Sequence, residues 1–409
     1  MRARGEGAIY QRKSDGMWVG TIELPPEAGD RRRRVIARKD KAKLIEDLAE
    51  ERVKLVENGG NLPTGKVNVK QWFTYWLEHT QVRPNTLAGY RAVVKNHIIP
   101  TLGTKKLDAL TADDLRRLEN DILAKDRVPK HPEKGKLSAT YANAAHRVMV
   151  IGLKAAQVDR KLTGNNIAAL MKAPKKSRRK LEVLTLPESV KVIHSLKTDP
   201  FASLWATFFL TGARRGEVIG LERDRVGDYL DLSWQMQRLI WRHGCGDKCG
   251  AKRGTDCPKR VLKVPADYEY RHITGGLFWT RPKSAAGWRV LPLVDPLRAI
   301  LQTHLANTPD NEYGLVWTQQ SGWPLDPDRT TDNWEKRVLP AAGITKHVTV
   351  HDIRHSTIDL LYELEVPEDV IMEIVGHSVK RVTRGYKSKT SRERLSKAML
   401  QLSALFPAA

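Results

Sequence analysis

An arginine and a glutamate lie one helical turn apart in residues 211–221, which read TGARRGEVIGL. The apolar residues of one helix end there, the chain turns at Gly212, and a second helix begins at once, so that Arg214 projects from a rigid corner. Glu217 is placed where its carboxylate can orient the Arg214 guanidinium. The alternative is an ordinary surface salt bridge at the start of a helix.

A histidine and an arginine form a second pair with helical spacing. His351 and Arg354 are separated by two residues in the sequence HDIRH. This spacing places both side chains on one face of a helix, where together they can hold one anionic oxygen. The alternative is a solvated basic face.

A lysine, a second histidine and a tyrosine complete the set of reactive side chains. Lys283 lies in residues 282–293, which we predict to be a β-hairpin with the lysine at its tip. His377 follows a glycine, and Tyr386 comes after a helical turn and a basic stretch. A single tyrosine usually packs in a core, so the assignment of Tyr386 depends on the other residues.

In this order, the residues resemble the active site of the tyrosine recombinase (phage integrase) family, of the arm-binding integrase type. That family carries an arginine in a TGxRxGE box, a hairpin lysine, an HxxR box, a GH box and a tyrosine shortly after it. All six positions are filled here, by Arg214, Lys283, His351, Arg354, His377 and Tyr386. The resemblance implies a site-specific DNA recombinase that cleaves and rejoins DNA to integrate or excise a phage or integrative element.

The resemblance also implies a role for each side chain. Tyr386 would attack the phosphate, form a 3′-phosphotyrosyl intermediate and release a 5′-hydroxyl. The two arginines would clamp the nonbridging oxygens, and His377 would add a hydrogen bond to them. Lys283 would protonate the departing 5′-oxygen, while His351 would assist deprotonation of the tyrosine. No cofactor is expected for catalysis, because the arginines occupy the role of a divalent cation.

The charge of the chain is that expected of a nucleic-acid-binding protein. Its 409 residues include 70 Lys+Arg against 47 Asp+Glu, a formal net charge of +23. A ribosome-associated or membrane-surface protein could share this charge. We find no lipidation signal, apolar span or signal-peptide core, and therefore expect no membrane partner. The expected partner is double-stranded DNA, and the expected location is the cytoplasm of a bacterial host cell, at the nucleoid.

The elements around these residues predict a multidomain protein, mainly α with β. Residues 1–62 are expected to form a three-stranded sheet plus a helix, which resembles an arm-type DNA-binding domain. Residues 67–174 resemble a helical core-binding domain, and residues 175–409 a mixed α/β catalytic domain. A basic segment that includes Arg178 and Arg179 is expected to link the last two domains and to run beside DNA phosphates.

The N-terminal unit carries four consecutive arginines on its third predicted strand. They are Arg31, Arg32, Arg33 and Arg34. Alternate side chains point to opposite faces of a strand, so the first and third arginines share one face and the other two share the opposite face. One pair is expected to contact DNA. Which pair does so stays open, because Val35 and Ile36 compete for the face that the helix covers.

An insertion between two predicted strands of the catalytic domain holds all three cysteines. Together with a histidine they lie within fifteen residues, at His243, Cys245, Cys249 and Cys257. Three thiols and one imidazole, separated by glycines that permit tight turns, are a sufficient ligand set for a structural zinc site. The spacing differs from a standard zinc knuckle, so an exposed, metal-free hairpin extension is the alternative.

Assembly and activity leave further alternatives open. Strand exchange needs four cleavages, so a homotetramer in the synapse is expected, with a directionality factor or a host DNA-bending protein as helper.

An apolar stripe on the last helix either packs against a neighbour or covers its own core, and consists of Leu395, Met399, Leu402 and Leu405. A relaxing enzyme of the type IB topoisomerase kind shares the chemistry but has no use for an arm-type domain. A DNA-binding regulator with an inactive catalytic domain would have lost a nucleophile or an arginine, and none is missing.

Overall fold

The computed structural model describes residues 8–27, 30–57, 67–129, 132–177, 181–246, 248–283, 287–376 and 389–406. The chain divides into two compact units. One comprises residues 1–81 and 86–178, and the other residues 82–85 and 179–409. Among the described residues, none of the helices combines the length and the apolar character needed to span a membrane. The boundaries predicted for three domains stay a prediction.

The first unit begins with a three-stranded antiparallel sheet and one helix, as the sequence predicts. Its elements are β1 (Ile9–Gln11), β2 (Trp18–Glu27), β3 (Asp30–Arg38) and α1 (Lys41–Glu57). The strand order is β1-β2-β3. Asp40 precedes the helix, and its carboxylate accepts a hydrogen bond of 2.8 Å from the backbone N–H of Ala42, which satisfies one of the unpaired donors of the first turn.

Helix α1 covers the sheet face that carries Ile36. Ile36 is buried in a small cluster with Ile22 and two leucines of the helix. Its neighbour Val35 is 55% exposed. Of the two residues between which the sequence did not choose, Ile36 is therefore the one that faces the helix. Arg34 lies on the covered side and pairs with Glu51 of the helix at 3.3 Å. The opposite face of the sheet is open and carries the exposed Arg33.

The rest of the first unit is helical. Its helices are α2 (Val69–His79), α3 (Pro84–Val93, from residue 86 onward), α4 (Ile99–Leu102), α5 (Ala112–Ala124), α6 (Ala139–Val158) and α7 (Ile167–Leu170). Trp72 and Phe73 of α2 are fully buried. The Trp72 indole donates to the carbonyl of Gly152 in α6 at 2.8 Å. A Cβ at Gly152 would lie 2.3 Å from the Phe73 ring, so this glycine permits the close packing of α2 against α6.

The second unit mixes helices with short antiparallel strands. Its helices are α8 (Leu186–Ser195), α9 (Ala202–Thr211), α10 (Arg215–Ile219), α11 (Leu297–Asn307), α12 (Pro327–Asn333), α13 (Leu339–Ala341), α14 (Val350–Glu363), α15 (Glu368–Val375) and α16 (Lys389–Ala404). Its strands are β4 (Tyr229–Asp231), β5 (Gln235–Arg238), β6 (Arg242–His243), β7 (Arg260–Val261), β8 (Tyr270–Thr274), β9 (Leu277–Thr280) and β10 (Val290–Pro292). They form the sheets β5-β9-β8, β10-β4 and β6-β7.

The hairpin predicted for residues 282–293 is wrong. Strand β9, which precedes Lys283, pairs with β5 and β8, whereas β10, which follows it, pairs with β4. The hairpin that forms is β8–β9, which turns through Gly275 and Gly276. Each strand therefore has a partner that comes before it in the chain, and Lys283 lies in a connection between two sheets.

A single core, centred on α9, holds the second unit together. Trp205, Phe208 and Phe209 of this helix are almost completely buried. The stripe on α16 packs into the same core, with Leu395, Met399 and Leu402 buried and Leu405 partly buried against it. Of the two roles left open for this stripe, the structure therefore shows the second, in which the helix covers its own unit.

Candidate active site

Arg214 lies at the corner between α9 and α10. Helix α9 ends at Gly212 in the left-handed conformation, with φ of +55°. A Cβ there would meet the Thr357 and Val375 side chains at 3.3 Å, so both backbone conformation and space favour glycine. Two residues later, Arg214 caps α10 and donates from its backbone N–H to Glu217 Oε2 at 2.7 Å and from Nη1 to Oε1 at 2.8 Å.

Glu217 binds a second arginine that sequence reasoning did not select. Arg289, just before β10, donates from Nη1 to Oε1 at 3.1 Å and from Nη2 to Oε2 at 2.7 Å. Both residues are buried, with exposures of 1% for Glu217 and 4% for Arg289. Burial alone would raise the pKa of Glu217, but the charges of Arg289 and Arg214 outweigh it and lower this pKa. The carboxylate is thus a fixed anion that holds both guanidinium groups.

Arg354 is a buried arginine with incomplete hydrogen bonding. It lies in the first turns of α14, is 1% exposed and donates from Nη1 to the carbonyl of Gly212 at 2.7 Å. Its other terminal nitrogen, Nη2, is buried and has no partner among the described residues. Burial and the nearby charges of Arg214 and Arg289 lower the pKa of Arg354 to about 9. The group still carries its charge at neutral pH, and an anion would stabilise it.

The two predicted arginines share one mode of support. Each donates to the carbonyl of a glycine that ends a helix in the left-handed conformation. Arg354 binds the carbonyl of Gly212, and Arg214 Nη2 binds that of Gly376 at 3.0 Å. Gly376 directly precedes His377 in the sequence, so Arg214 binds the backbone at the residue before that histidine.

His351 shares an open cleft with Arg214. The cleft is bordered by β5 and by the first turns of α12 and α14. His351 is exposed, and its ring lies against that of His355 with the centroids 5.2 Å apart. Neighbouring protein removes part of the water around the ring, which is the main cause that lowers the pKa of His351, and the positive charges of His355 and Arg354 add to it. The neutral imidazole is therefore favoured at physiological pH.

The structure describes the other predicted site residues to different extents. Lys283 is exposed after β9 and is not among the described residues that line the cleft. His377 and Tyr386 lie outside the described residues, as do Arg178 and Arg179, and so do the side chains of Arg31 and Arg32. In the insertion, by contrast, the ligand atoms of the four candidate metal ligands lie within 4.8 Å of one another.

The sequence matches two family models. The model described as "Phage integrase, N-terminal SAM-like domain" matches residues 68–123, and the one described as "Phage integrase family" matches residues 271–393. The second match contains the HxxR pair on α14. Both matched segments have the sequence pattern of the tyrosine recombinase (phage integrase) family. The activity of the chain is accordingly the site-specific cleavage and rejoining of DNA, as the resemblance implied.

Two curated integrases resemble this recombinase over nearly its whole length. An integrase of Saccharopolyspora erythraea is 28% identical, with 93% of this chain and 92% of that protein covered. An integrase of Streptomyces ambofaciens is 25% identical, with 99% and 97% covered. The similarity thus includes the N-terminal sheet as well as the two family matches.

Solved integrase structures share the fold of this recombinase. A lambda integrase fragment, solved as a dimer bound to a COC′ core site, has a TM-score of 0.52 and 15% identity, and 79% of this chain and 100% of that chain are covered. A fragment of the Tn1549 transposon integrase, solved in complex with transposon right end DNA, has a TM-score of 0.57 and 16% identity, with 82% and 99% covered. They confirm the predicted fold class of a multidomain tyrosine recombinase.

Proposed function

We propose that this recombinase integrates or excises a phage genome or integrative element by recombining two short double-stranded DNA attachment sites. The observation that carries the proposal is the buried Nη2 of Arg354, which has no partner among the described residues. Leaving a charged donor buried and unsatisfied is costly. A phosphodiester oxygen that reaches this nitrogen would supply the missing acceptor.

The arrangement of charges favours a phosphate over a neutral ligand. Arg214 and Arg354 repel each other, and this repulsion contributes to the lowered pKa of Arg354. Glu217 is shared by two arginines and is fully occupied by them. The pair therefore keeps positive charge available for the nonbridging oxygens, on which negative charge grows in the transition state. No divalent cation has a part in the proposed mechanism.

The proposed reaction is a reversible exchange of ester bonds. The Tyr386 oxygen attacks phosphorus, and His351, favoured as the neutral base, assists removal of the phenolic proton. The bond between phosphorus and the 5′-oxygen breaks, and Lys283 supplies the proton that makes the leaving group a 5′-hydroxyl. His377 donates a further hydrogen bond to the phosphate. A 5′-hydroxyl of the partner strand then attacks the phosphotyrosine and restores the DNA.

DNA binding outside the cleft would come from the basic surfaces. The open face of the N-terminal sheet carries Arg33, and position 31 shares its side of the strand by alternation. We propose that this face contacts arm sites, while the linker with Arg178 and Arg179 follows phosphates. Each phosphate contact would add to a steep salt dependence.

The proposed assembly is a homotetramer in the synapse. Recombination joins two duplexes and requires four strand cleavages, one by each protomer. Lambda integrase, which shares the fold, has been solved as a tetramer bound to a Holliday junction. Choice between integration and excision would depend on a directionality factor or a host DNA-bending protein. The reaction would take place in the bacterial cytoplasm, at the nucleoid.

Trapping of the covalent intermediate tests the proposed function. The full chain is incubated with a nicked duplex that carries the junction sequence of the element encoding it, and the products are run on a denaturing gel. We expect a protein–DNA adduct with the unchanged chain and none with Tyr386→Phe. Tyr362→Phe is the matched control, because Tyr362 is half exposed on α14, and should give the adduct in normal amount. A normal adduct with Tyr386→Phe would overturn the assignment.

A further inference from the structure

The insertion of the second unit folds into a small ribbon. Strands β6 and β7 pair antiparallel, with Arg242 opposite Val261 and His243 opposite Arg260. The next backbone hydrogen bond, 2.8 Å from Gly244 N to Lys259 O, extends the pairing into the loop that carries the cysteines. The ribbon thus brings both ends of the cysteine-containing loop together at His243.

Four ligand atoms from this ribbon form one cluster. Cys249 Sγ lies 3.3 Å from His243 Nδ1, and Cys245 Sγ lies 3.9 Å from the same nitrogen. Cys257 Sγ lies 3.5 Å from Cys245 Sγ. All four ligand atoms are within 4.8 Å of one another. Three thiols and an imidazole therefore surround a common centre.

The distances match the edges of a zinc tetrahedron. Zn–S bonds of about 2.3 Å and Zn–N bonds of about 2.0 Å give sulfur–sulfur edges of about 3.8 Å and sulfur–nitrogen edges of about 3.5 Å at tetrahedral angles. The two sulfur–nitrogen distances lie on either side of the second value, and the distance between the Cys245 and Cys257 sulfurs is slightly shorter than the first. The 3.5 Å between the Cys245 and Cys257 sulfurs is well beyond a disulfide bond of about 2.05 Å, and all three cysteines are free thiols.

The ribbon lacks an apolar core of its own. Among the described residues from 240 to 266, Cys257 is the one residue that is buried. Folding of the segment therefore needs a source of stability other than hydrophobic burial, and a metal ion supplies it in small zinc-binding modules. Two close approaches show that the loop is compact: a Cβ at Gly244 would lie 2.2 Å from Lys259 O, and one at Gly254 would lie 2.1 Å from Trp241 O.

Trp241 anchors the ribbon to the sheet of the second unit. Its indole donates to the carbonyl of Gly275 at 2.6 Å, and its ring packs against Phe278 with the centroids 5.3 Å apart. The Arg260 guanidinium covers the ring at 4.8 Å. Gly275 precedes β9, whereas Lys283 follows it, so the ribbon is attached at the end of this strand that is remote from the lysine.

We propose that His243, Cys245, Cys249 and Cys257 bind one zinc ion, which holds the ribbon folded and takes no part in DNA cleavage. Thiolate and imidazole ligands select zinc over magnesium or calcium, which prefer oxygen. Four protein ligands close the coordination sphere, as in structural sites, and leave no position for a water or a substrate. The thiols release their protons when the metal binds.

Metal analysis of the full chain tests the site. Protein purified under reducing conditions without added metal should contain about one zinc per chain. Replacement of the zinc by Co²⁺ should give the intense visible absorption of a tetrahedral thiolate complex. A chain with three titratable thiols, no zinc and no uptake of Co²⁺ would overturn the proposal, and so would a Cys245–Cys257 disulfide in the purified protein.

Ligand variants separate a metal site from general instability. Cys249→Ser and His243→Ala should lose the zinc or release it to a chelator far faster, whereas His243→Cys should retain it as a four-thiolate site with a shifted Co²⁺ spectrum. His194→Ala is the matched control, because His194 is an exposed histidine of α8, and its zinc content should be unchanged. Equal zinc retention in Cys249→Ser and His194→Ala would contradict the assigned ligands.

Removal of the metal from the unchanged chain tests its structural role. After treatment with a chelator and a reductant, the thermal unfolding temperature should fall, and protease cleavage between residues 243 and 260 should accelerate. Added Zn²⁺ should reverse both changes. Cleavage of a short core duplex at low temperature should continue, because the ribbon contains none of the proposed catalytic residues. Unaltered stability and proteolysis after complete zinc removal would contradict the structural role.

Discussion

Arg354 donates from Nη1 to the carbonyl of Gly212 at 2.7 Å, at the same corner from which Arg214 projects. Gly212 therefore positions both arginines of the proposed phosphate clamp. Its backbone conformation sets the direction of the chain that leads to Arg214, and its carbonyl accepts the hydrogen bond from Arg354. Because Arg354 Nη2 keeps a buried donor without a partner among the described residues, the clamp is organised before DNA binds.

Removal of either arginine should affect cleavage more than binding. Arg214→Ala and Arg354→Ala each delete a preorganised contact to the transition state, which typically costs about 3 to 4 kcal/mol of activation free energy. Single-turnover cleavage of a core duplex, measured at saturating protein, should fall by a factor of hundreds or more. Arg298→Ala, which removes a pair with the exposed Asp228 and a hydrogen bond to the carbonyl of Leu293, is the control and should cleave normally. A loss that only follows measured occupancy would assign the arginines to affinity.

Arg289 should contribute to stability as well as to the position of Arg214. In Arg289→Met the buried Glu217 loses its bidentate partner, and breaking a buried ion pair costs about 3 to 5 kcal/mol. The free energy of unfolding, measured by urea titration, should fall accordingly. The double variant Glu217→Leu/Arg289→Met should recover much of this stability and still cleave slowly, because Arg214 has lost its carboxylate. Full activity of the double variant would show that Glu217 does not orient Arg214.

A substrate with a different leaving group should distinguish the role of Lys283 from that of the arginines. A 5′-phosphorothiolate leaving group needs no proton, so this substrate should restore cleavage by Lys283→Ala. The same substrate should leave Arg214→Ala slow, because charge on the nonbridging oxygens is unaffected by the change. Cleavage of oxygen and sulfur substrates by both variants is compared in single turnover. Equal rescue of the two variants would remove the assignment of Lys283 as the general acid.

The lowered pKa of His351 predicts activity at mildly acidic pH. The base is active when neutral, and a histidine pKa below its usual value keeps it neutral as the pH falls through about 6.5. The cleavage rate should therefore remain near its plateau at that pH and decline only below it. In His351→Ala this decline should disappear together with most of the rate. A midpoint above 6.5 in the unchanged chain would contradict the lowered pKa.

The same pKa shift has a consequence for stability. The unfolded chain binds a proton to His351 at a higher pH than the folded chain does, so the folded state loses stability as the pH falls through the unfolded pKa. The pH dependence of unfolding between pH 7 and 5 should therefore be shallower in His351→Ala than in the unchanged chain. A steeper slope in the variant would show that the folded state favours the charged ring.

The two faces of the N-terminal sheet offer a matched pair of variants. Arg33→Ala removes a charge from the open face, so binding of long attachment sites should weaken and the slope of log affinity against log salt should become less negative by about 1. Arg34→Ala removes a residue that pairs with Glu51, and the arm-site affinity should change little. The reverse order of effects would place the DNA on the other face or remove the arm-binding assignment.

The sequence by itself determined the local parts of this site. The spacing of Arg214 and Glu217, the helical face shared by His351 and Arg354, and the sheet followed by a helix all follow from residues close in the chain. Helical and strand periodicity report such neighbours directly, because side chains three or four residues apart on a helix must share a face. Those patterns, joined in the right order, were also enough to indicate the family.

Only the tertiary structure decided which distant residues support that site. Arg289 binds Glu217 across 72 residues, and Arg354 reaches the Gly212 carbonyl across 142. The pairing of β9 and β10 with different sheets, and the burial of Ile36 rather than Val35, are likewise choices between arrangements that are locally equivalent. The choice between these arrangements depends on how much apolar surface is buried and how many buried charges are paired over the whole unit. A local sequence pattern does not contain this information.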